Sequence, residues 1–115
     1  MIWQMGDEYA ILESIKKLVI SGKYRVRIHA IRHMIEEGFN ETNTIEALTG
    51  NSKIIENYPD DYRCLILGNF HFAEAATSPL HIVCDYSMPD LIDIVTAYIP
   101  QKPWWITPTK RGKSS

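Results

Sequence analysis

The sequence predicts an α+β domain in which N-terminal helices pack on a roughly four-stranded antiparallel sheet. Up to Gly50, apolar residues recur at the three- and four-residue intervals that are typical of helices. Beyond Gly50 the chain changes to short runs rich in Ile, Val, Tyr and Phe, separated by turn residues. These connections are tight, and parallel strands would need long crossovers. Helices followed by such a meander indicate the α+β class, with the helices on one face of the sheet.

The first predicted helix covers Asp7–Ser21. The carboxylates of Asp7 and Glu8 favour the positive end of its dipole, and Gly22 is placed to end it. The spacing of its apolar residues predicts a single buried face. That face consists of Ile11, Leu12, Ile15, Leu18 and Val19.

The second predicted helix, Ile28–Glu37, is the chemically richest stretch of the chain. The preceding residues, Tyr24–Arg27, alternate aromatic or aliphatic side chains with arginines and fit a short edge strand or an extended entry. Gly38 is placed to end the helix. His29 and His33 stand four residues apart and therefore share one helix face. The apolar positions of this helix are Ile28, Ile31, Met34 and Ile35.

A third helix and four strands complete the predicted domain, which spans residues 1–100. Asn40 is a suitable N-cap for a helix over Glu41–Thr49, with Ile45 and Leu48 facing inward. The segment Phe70–Pro79 begins with strand-like alternation but continues with small residues, so its structure stays open. The predicted strands are Lys53–Tyr58, Tyr62–Leu67, Leu80–Tyr86 and Leu91–Ile99.

Residues 101–115 are predicted to form an extended tail rich in proline, tryptophan and basic residues. Pro100, Pro103 and Pro108 make this region a poor helix. Its paired aromatic residues, Trp104 and Trp105, have two interpretations. They lie back over the domain, or they are exposed and meet a protein or nucleotide partner.

The charges of the chain are segregated along the sequence. The net charge of −2 argues against a protein that coats nucleic acid through bulk charge, because such domains are usually basic. Residues 1–35 nevertheless carry +3, residues 36–100 carry −9, and residues 101–115 carry +4. If the fold brings the two basic segments together, one basic face forms on an otherwise acidic molecule.

Several classes of protein are excluded by composition. The apolar run Leu91–Ile99 is interrupted by Asp93 and Thr96 and is far shorter than the ~20 residues of a membrane-spanning helix. The N-terminal residues lack the cationic start and apolar run of a signal peptide, so we expect a cytoplasmic protein without a membrane partner. Cys64 and Cys84 stand in apolar runs, which predicts buried, inert thiols and no nucleophilic Cys–His site.

The histidines permit a metal-binding interpretation, because the spacing of His29 and His33 places two imidazoles on one side of a helix. However, no Glu follows His29 as the zinc-protease motif requires, and the cysteines are not paired in the sequence. We therefore expect neither a metal nor another cofactor. A solvated or hydrogen-bonded His33 is the better interpretation.

Acid–base chemistry on a phosphodiester is the remaining catalytic hypothesis. Cleavage of RNA through its own 2′-hydroxyl needs a proton acceptor, a proton donor and positive groups near the phosphate. His29 or His81 could exchange protons near neutral pH, and Tyr98 could supply a phenol. The candidates for binding phosphate are Arg25, Arg27 and Arg63. Each of these residues also has an ordinary structural interpretation, as a strand histidine, a half-buried aromatic or a surface charge.

A series of short motifs follows in order between Lys23 and Pro100. The motifs are Tyr24-Arg25-Val26-Arg27 leading into His29-Ala30, Glu37-Gly38-Phe39, Glu46-Ala47-Leu48, Ile54-Ile55-Glu56-Asn57-Tyr58-Pro59, Cys64-Leu65-Ile66-Leu67-Gly68, Pro79-Leu80-His81-Ile82-Val83 and Ile94-Val95-Thr96-Ala97-Tyr98. Together they resemble the family called domain of unknown function 4258. That family is similar to the RelE and MqsR group of small toxin ribonucleases, whose fold packs N-terminal helices on an antiparallel sheet.

The resemblance implies a metal-independent endoribonuclease that acts on mRNA as the toxin of a type II toxin–antitoxin system. It implies a protein antitoxin as partner, often one with an MqsA-like zinc-finger domain. It assigns site positions to His29, His81 and Tyr98, whereas Glu37 stands where many members have Arg. Oligomer formation and association of the target mRNA with the ribosome stay open. The alternative hypothesis is a non-catalytic domain whose Trp104–Trp105 tail docks a protein partner.

Overall fold

Three helices precede the antiparallel part of the sheet, as the sequence predicts, and one short strand lies between the first two helices. The computed structural model describes residues 5–101 and 105–112. The helices are α1 (Met5–Ile20), α2 (Ile28–Glu37) and α3 (Glu41–Thr49). None of these described helices combines the length and the apolar character needed to cross a membrane.

The boundaries between α2 and α3 follow from their capping residues. Gly38 adopts a left-handed conformation with φ of 80°, and its N–H donates to the carbonyl of Met34. Two residues later, the Asn40 side chain accepts from the backbone N–H of Asn43, while the Asn43 side chain accepts from that of Asn40. These caps turn the chain sharply between the two helices.

The sheet contains five strands rather than the expected four. Its strands are β1 (Tyr24–Val26), β2 (Lys53–Tyr58), β3 (Arg63–Ala73), β4 (Ala76–Met88) and β5 (Leu91–Tyr98), in the order β1-β5-β4-β3-β2. The pairs among β2 to β5 are antiparallel, which confirms the α+β class. The additional strand, β1, pairs in parallel with Ile92–Ile94 of β5. It satisfies backbone groups at the edge of β5. Of the two interpretations that the sequence allowed for Tyr24–Arg27, the short edge strand is therefore confirmed over Tyr24–Val26.

The ambiguous segment Phe70–Pro79 belongs to one long hairpin. β3 extends to Ala73 and β4 begins at Ala76, so that Asn69 lies opposite Pro79. The predicted strands were therefore too short in this region. Small residues obscured the alternation because this end of the hairpin reaches beyond the core, and Phe72 there is exposed.

The helices cover one face of the sheet, which we call the helix face. Leu12, Ile15 and Val19 of α1 are buried there, as predicted. On α2, the buried apolar residues are Ala30 and Met34. The sheet contributes Ile66, Ile82, Cys84, Ile92 and Ile94 to the same core.

The opposite face, which we call the second face, collects most of the polar strand residues, because successive side chains alternate between the two faces. Neighbouring strands align these residues in rows across the sheet. The rows are Arg25–Asp93–Asp85–Arg63, Thr96–Val83–Leu65–Glu56 and Tyr98–His81–Leu67. The second face is therefore the part of the sheet where polar chemistry can occur.

The helix layer depends on a close approach between α3 and Gly68 of β3. A Cβ atom built at Gly68 would lie 2.0 Å from the backbone oxygen of Ala47 and 2.6 Å from its carbonyl carbon. Such distances are impossible between real atoms. The lack of a side chain at Gly68 is therefore a condition for the packing of α3 on the sheet.

We predict that Gly68→Ala lowers the free energy of unfolding by at least about 2 kcal/mol, because the α3 backbone must move away from β3. The measurement is urea denaturation followed by circular dichroism. Gly50→Ala is the matched control, since an added Cβ there meets only the backbone oxygen of Glu46, at 3.0 Å. Equal losses for the two variants would contradict the packing argument.

Candidate functional site

The second face brings together two of the residues singled out from the sequence, His81 and Tyr98. They lie directly opposite each other on β4 and β5. The His81 Nδ1 atom is 3.3 Å from the Tyr98 hydroxyl oxygen, and the two rings are 5.2 Å apart. The pair thus joins an imidazole to a phenol through a single hydrogen bond.

A short C-terminal hairpin packs on His81. It consists of β6 (Trp105–Thr107) and β7 (Lys110–Arg111), with Pro108 in the turn. The His81 Nε2 atom is 2.6 Å from the Pro108 carbonyl oxygen, and the Trp105 ring lies 4.3 Å from the imidazole. Residues 101–115 were predicted to be extended; within the described part, 105–112 form this hairpin, whereas Trp104 lies outside the described residues.

The hydrogen bonds of His81 determine its tautomer. A carbonyl oxygen can only accept, so Nε2 carries the proton and donates it to Pro108. In the neutral ring Nδ1 is then the acceptor, and Tyr98 donates its hydroxyl proton to it. His81 is 0% exposed, and this burial lowers its pKa, although the Pro108 carbonyl offsets part of the effect. The site therefore holds a neutral imidazole near neutral pH.

An ionic contact holds the hairpin to β2. Arg111 donates two hydrogen bonds, of 2.6 and 2.7 Å, to the carboxylate of Glu56. Its guanidinium also lies over the Trp105 ring, 4.6 Å from the ring centre. The Tyr58 hydroxyl donates to the same carboxylate at 2.6 Å. The Arg111 hydrogen bonds lower the pKa of Glu56, which is therefore charged at neutral pH.

A cleft of about 200 Å³ opens beside this contact, and we call it the sheet-face cleft. Its lining includes Tyr98 and Arg63, both predicted site residues. It also includes Glu56, Asp61, Tyr58 and Arg111, so that two arginines and two carboxylates surround the opening. A cleft of this size accommodates one phosphate group or a similarly small anion.

The histidines of α2 are connected to Tyr98 through His33. The rings of His29 and His33 are 4.9 Å apart, and the ring of His33 is 6.3 Å from that of Tyr98. His33 is also hydrogen-bonded to Glu37 at 2.6 Å. The other oxygen of Glu37 accepts from the backbone N–H of Ile99 at 2.7 Å, which fixes α2 against β5.

The described aromatic contacts connect the predicted histidines only indirectly. None of them joins His29 to His81. Instead, the contacts run from His29 to His33, from His33 to Tyr98 and from Tyr98 to His81. His29 is exposed and His81 is buried, so the two histidines differ in their access to solvent.

The arginines predicted to bind phosphate are separated into two groups. Arg25 and Arg27 both bind the carboxylate of Asp93, with Arg27 at 2.9 Å. Arg63 is more loosely held, at 3.4 Å from Asp85, and it lines the sheet-face cleft. Of these three arginines, only Arg63 therefore lines the same cleft as Tyr98.

Residues 5–101 and 105–112 contain neither a cluster of metal-ligating side chains nor an exposed cysteine. No group of three or more His, Cys, Asp or Glu side chains in this part of the chain could hold a metal ion. Cys64 and Cys84 are free and buried, as predicted, although they lie directly opposite each other on β3 and β4. Burial raises the pKa of the Cys64 thiol to about 12, which disfavours the reactive thiolate.

Three residues that surround the site were not among the predicted site residues, namely Glu56, Arg111 and Glu37. The alternation of β2 could have indicated that Glu56 and Tyr58 share a face. The basic charge of the C-terminal segment could have indicated attraction to the acidic middle of the chain. Which carboxylate Arg111 would choose depends on the placement of the hairpin, and no spacing in the sequence encodes that placement.

The fold and the His81–Tyr98 pair define a small α+β domain with a polar site on the second face of its sheet. Residues 27–99 match the model of a family described as Domain of unknown function (DUF4258), and the chain belongs to this family. Comparison with curated proteins and with solved structures gave no match. His29, His81 and Tyr98 lie within the matched range, whereas Arg25 and the hairpin lie outside it.

We predict that Asp93→Asn lowers the free energy of unfolding at pH 7 by about 1–3 kcal/mol, because charge-assisted hydrogen bonds to Arg25 and Arg27 are lost. These arginines hold the pKa of the buried Asp93 carboxyl well below its usual range. Its contribution is therefore complete above the unfolded pKa of about 3.9 and is lost as the pH falls further.

The measurement is urea denaturation of the wild type and the variant between pH 7 and pH 2. The difference between them should shrink below about pH 4. Asp90→Asn, at an exposed turn position, serves as the control for the loss of one negative charge. A difference that does not change with pH would contradict the assigned role of the carboxylate.

Proposed function

We propose that the protein is a cytoplasmic, metal-independent endoribonuclease, the toxin of a type II toxin–antitoxin system in the manner of RelE and MqsR. The observation that carries the proposal is the hydrogen bond between Tyr98 and neutral His81 beside the sheet-face cleft. A phenol backed by a neutral imidazole can pass a proton without a metal ion. The substrate is mRNA, and the partner is a protein antitoxin.

The cleavage step begins with the 2′-hydroxyl of the RNA. Its oxygen attacks the neighbouring phosphorus while its proton passes to the Tyr98 oxygen, and Tyr98 gives its own proton to His81 Nδ1. The bond from phosphorus to the 5′ oxygen then breaks. His29, which is exposed on α2, donates a proton to the leaving oxygen. The products are a 2′,3′-cyclic phosphate and a 5′-hydroxyl.

The arginines of the cleft stabilise the phosphate in this scheme. Arg63 is the better placed of the residues predicted for this role, because Arg25 and Arg27 are occupied by Asp93. Arg111 also lines the cleft, but Glu56 engages two of its donors. The Glu56 carboxylate therefore opposes RNA binding, both through its own charge and by withholding Arg111.

We predict that Tyr98→Phe lowers RNA cleavage by about 100-fold or more, because the variant keeps the ring but loses the hydroxyl that carries the proton. The measurement is cleavage of a labelled RNA by purified protein. Tyr9→Phe, at an exposed tyrosine of α1 outside the cleft, is the matched control. His29→Ala should also lower cleavage, whereas His71→Ala should not.

A growth assay provides the cellular counterpart of this experiment. Expression of the wild type without an antitoxin should arrest growth, and expression of Tyr98→Phe should not. Intact RNA together with unaffected growth would refute the ribonuclease. Wild-type cleavage that persists fully in Tyr98→Phe would refute the assigned proton path.

We further predict that Glu56→Gln strengthens RNA binding, because it removes a negative charge from the cleft and releases Arg111 to contact a phosphate. The measurement is fluorescence anisotropy of a short labelled RNA over a range of salt concentrations. One additional phosphate contact should steepen the salt dependence by about 0.7 in logarithmic slope. Glu46→Gln, which removes a carboxylate bound to His71 instead, should leave the slope unchanged.

The second candidate function is a non-catalytic protein-binding domain. The complete burial of His81, with both ring nitrogens hydrogen-bonded inside the chain, favours this alternative. The sequence suggested that Trp104 and Trp105 dock the partner. Trp105, however, is buried and packs against His81. Deletion of residues 102–115 that abolishes partner binding without unfolding the domain would support it.

A further inference from the structure

Helix α2 exposes three isoleucines on a side that is not packed on the core. The exposed fractions are 65% for Ile28, 39% for Ile31 and 78% for Ile35. Their spacing of three and four residues places them in one stripe along the helix. Ala30 and Met34 occupy the buried side, so the stripe makes no contribution to the core of the domain.

Such a stripe is unusual on a surface helix. The side opposite the core normally carries charged or polar residues. Contiguous apolar residues that stay exposed on a folded domain mark a contact surface for another molecule. We call Ile28, Ile31 and Ile35 the isoleucine stripe.

The charged residues beside the isoleucine stripe are placed unfavourably relative to the dipole of α2. Arg32 lies in the first half of α2, and Glu36 lies in its last turn, close to the negative end. Within the described part of the chain, the ion pairs of the structure include neither residue. The order of base before acid is also the less favourable one for a pair four residues apart on one helix.

A second copy of α2, packed antiparallel to the first, would compensate for the placement of the charges relative to the dipole and for the order of Arg32 and Glu36. Reversal of direction brings Arg32 beside Glu36 of the other helix, and it brings the negative end of one dipole beside the positive end of the other. Twofold symmetry makes both contacts twice, because the same surface is used by each copy. Ile31 and Ile35 of one copy then contact Ile31 and Ile35 of the other at the centre of the interface, and Ile28 lies at its edge.

We propose that the isoleucine stripe is a homodimer interface in which α2 packs antiparallel to α2 of a second copy of this chain. The proposal rests on apolar exposure together with self-complementary charge. It does not depend on ribonuclease activity, since no residue of the His81–Tyr98 pair takes part. A second copy is chosen as the occupant because it supplies the reversed charge order.

The first test is analytical ultracentrifugation of the full chain from about 1 µM to about 1 mM. The wild type should show a monomer–dimer equilibrium, and Ile35→Lys should raise the dimer Kd by roughly 10-fold or more. Ile20→Lys is the matched control, because Ile20 is 70% exposed on α1, outside the stripe. Circular dichroism verifies that both variants are folded.

The second test reverses the charges. Arg32→Glu alone places carboxylates of the two copies together and should weaken the dimer, whereas the double variant Arg32→Glu with Glu36→Arg should restore it. A monomer at every concentration would overturn the proposal, as would equal weakening by Ile20→Lys. A double variant that stays as weak as Arg32→Glu would overturn the antiparallel arrangement.

Discussion

The close approach of α3 to Gly68 determines how the whole domain divides its surfaces. Because the α3 backbone lies against β3 at this glycine, the helices cover one face of the sheet. The alternation of side chains then sends the apolar strand residues towards the helices and the polar ones away from them. The polar side chains of the site thus lie on the second face. Their placement follows from the packing of α3 at Gly68, a residue without a side chain.

Local signals in the sequence predicted much of the fold. The bounds of α2 and α3 agree with the sequence prediction because Gly38 and Asn40 carry capping chemistry that acts within a few residues. By contrast, the short alternation at Tyr24–Arg27 fitted either an edge strand or an extended entry, and the partner of β1 on β5 is distant in the sequence. Helix bounds were therefore predictable, because the residues that determine them are local. The number of strands was not predictable, because β1 pairs with a strand that is distant in the sequence.

The candidate site shows the same division. Residue types indicated His29, His81 and Tyr98, but not that His33 would lie between helix and strand or that His81 would be buried. The commitment of Arg25 and Arg27 to Asp93 could not be predicted, since the carboxylate lies on another strand. The isoleucines of α2 are a similar case, because their apolar character suggests a core position and only the packing of Ala30 and Met34 reveals that they are exposed.

The bond between His81 and the hairpin is made to a main-chain carbonyl, that of Pro108. Any residue at that position offers the same oxygen, so the identity of the side chain is irrelevant to this contact. Sequence at the turn can therefore drift while the imidazole stays capped, provided that the backbone keeps its path. Alanine scanning of the turn would leave the bond intact and would miss it, whereas replacement of the Pro108–Thr109 amide by an ester, which weakens the carbonyl acceptor, would reveal it.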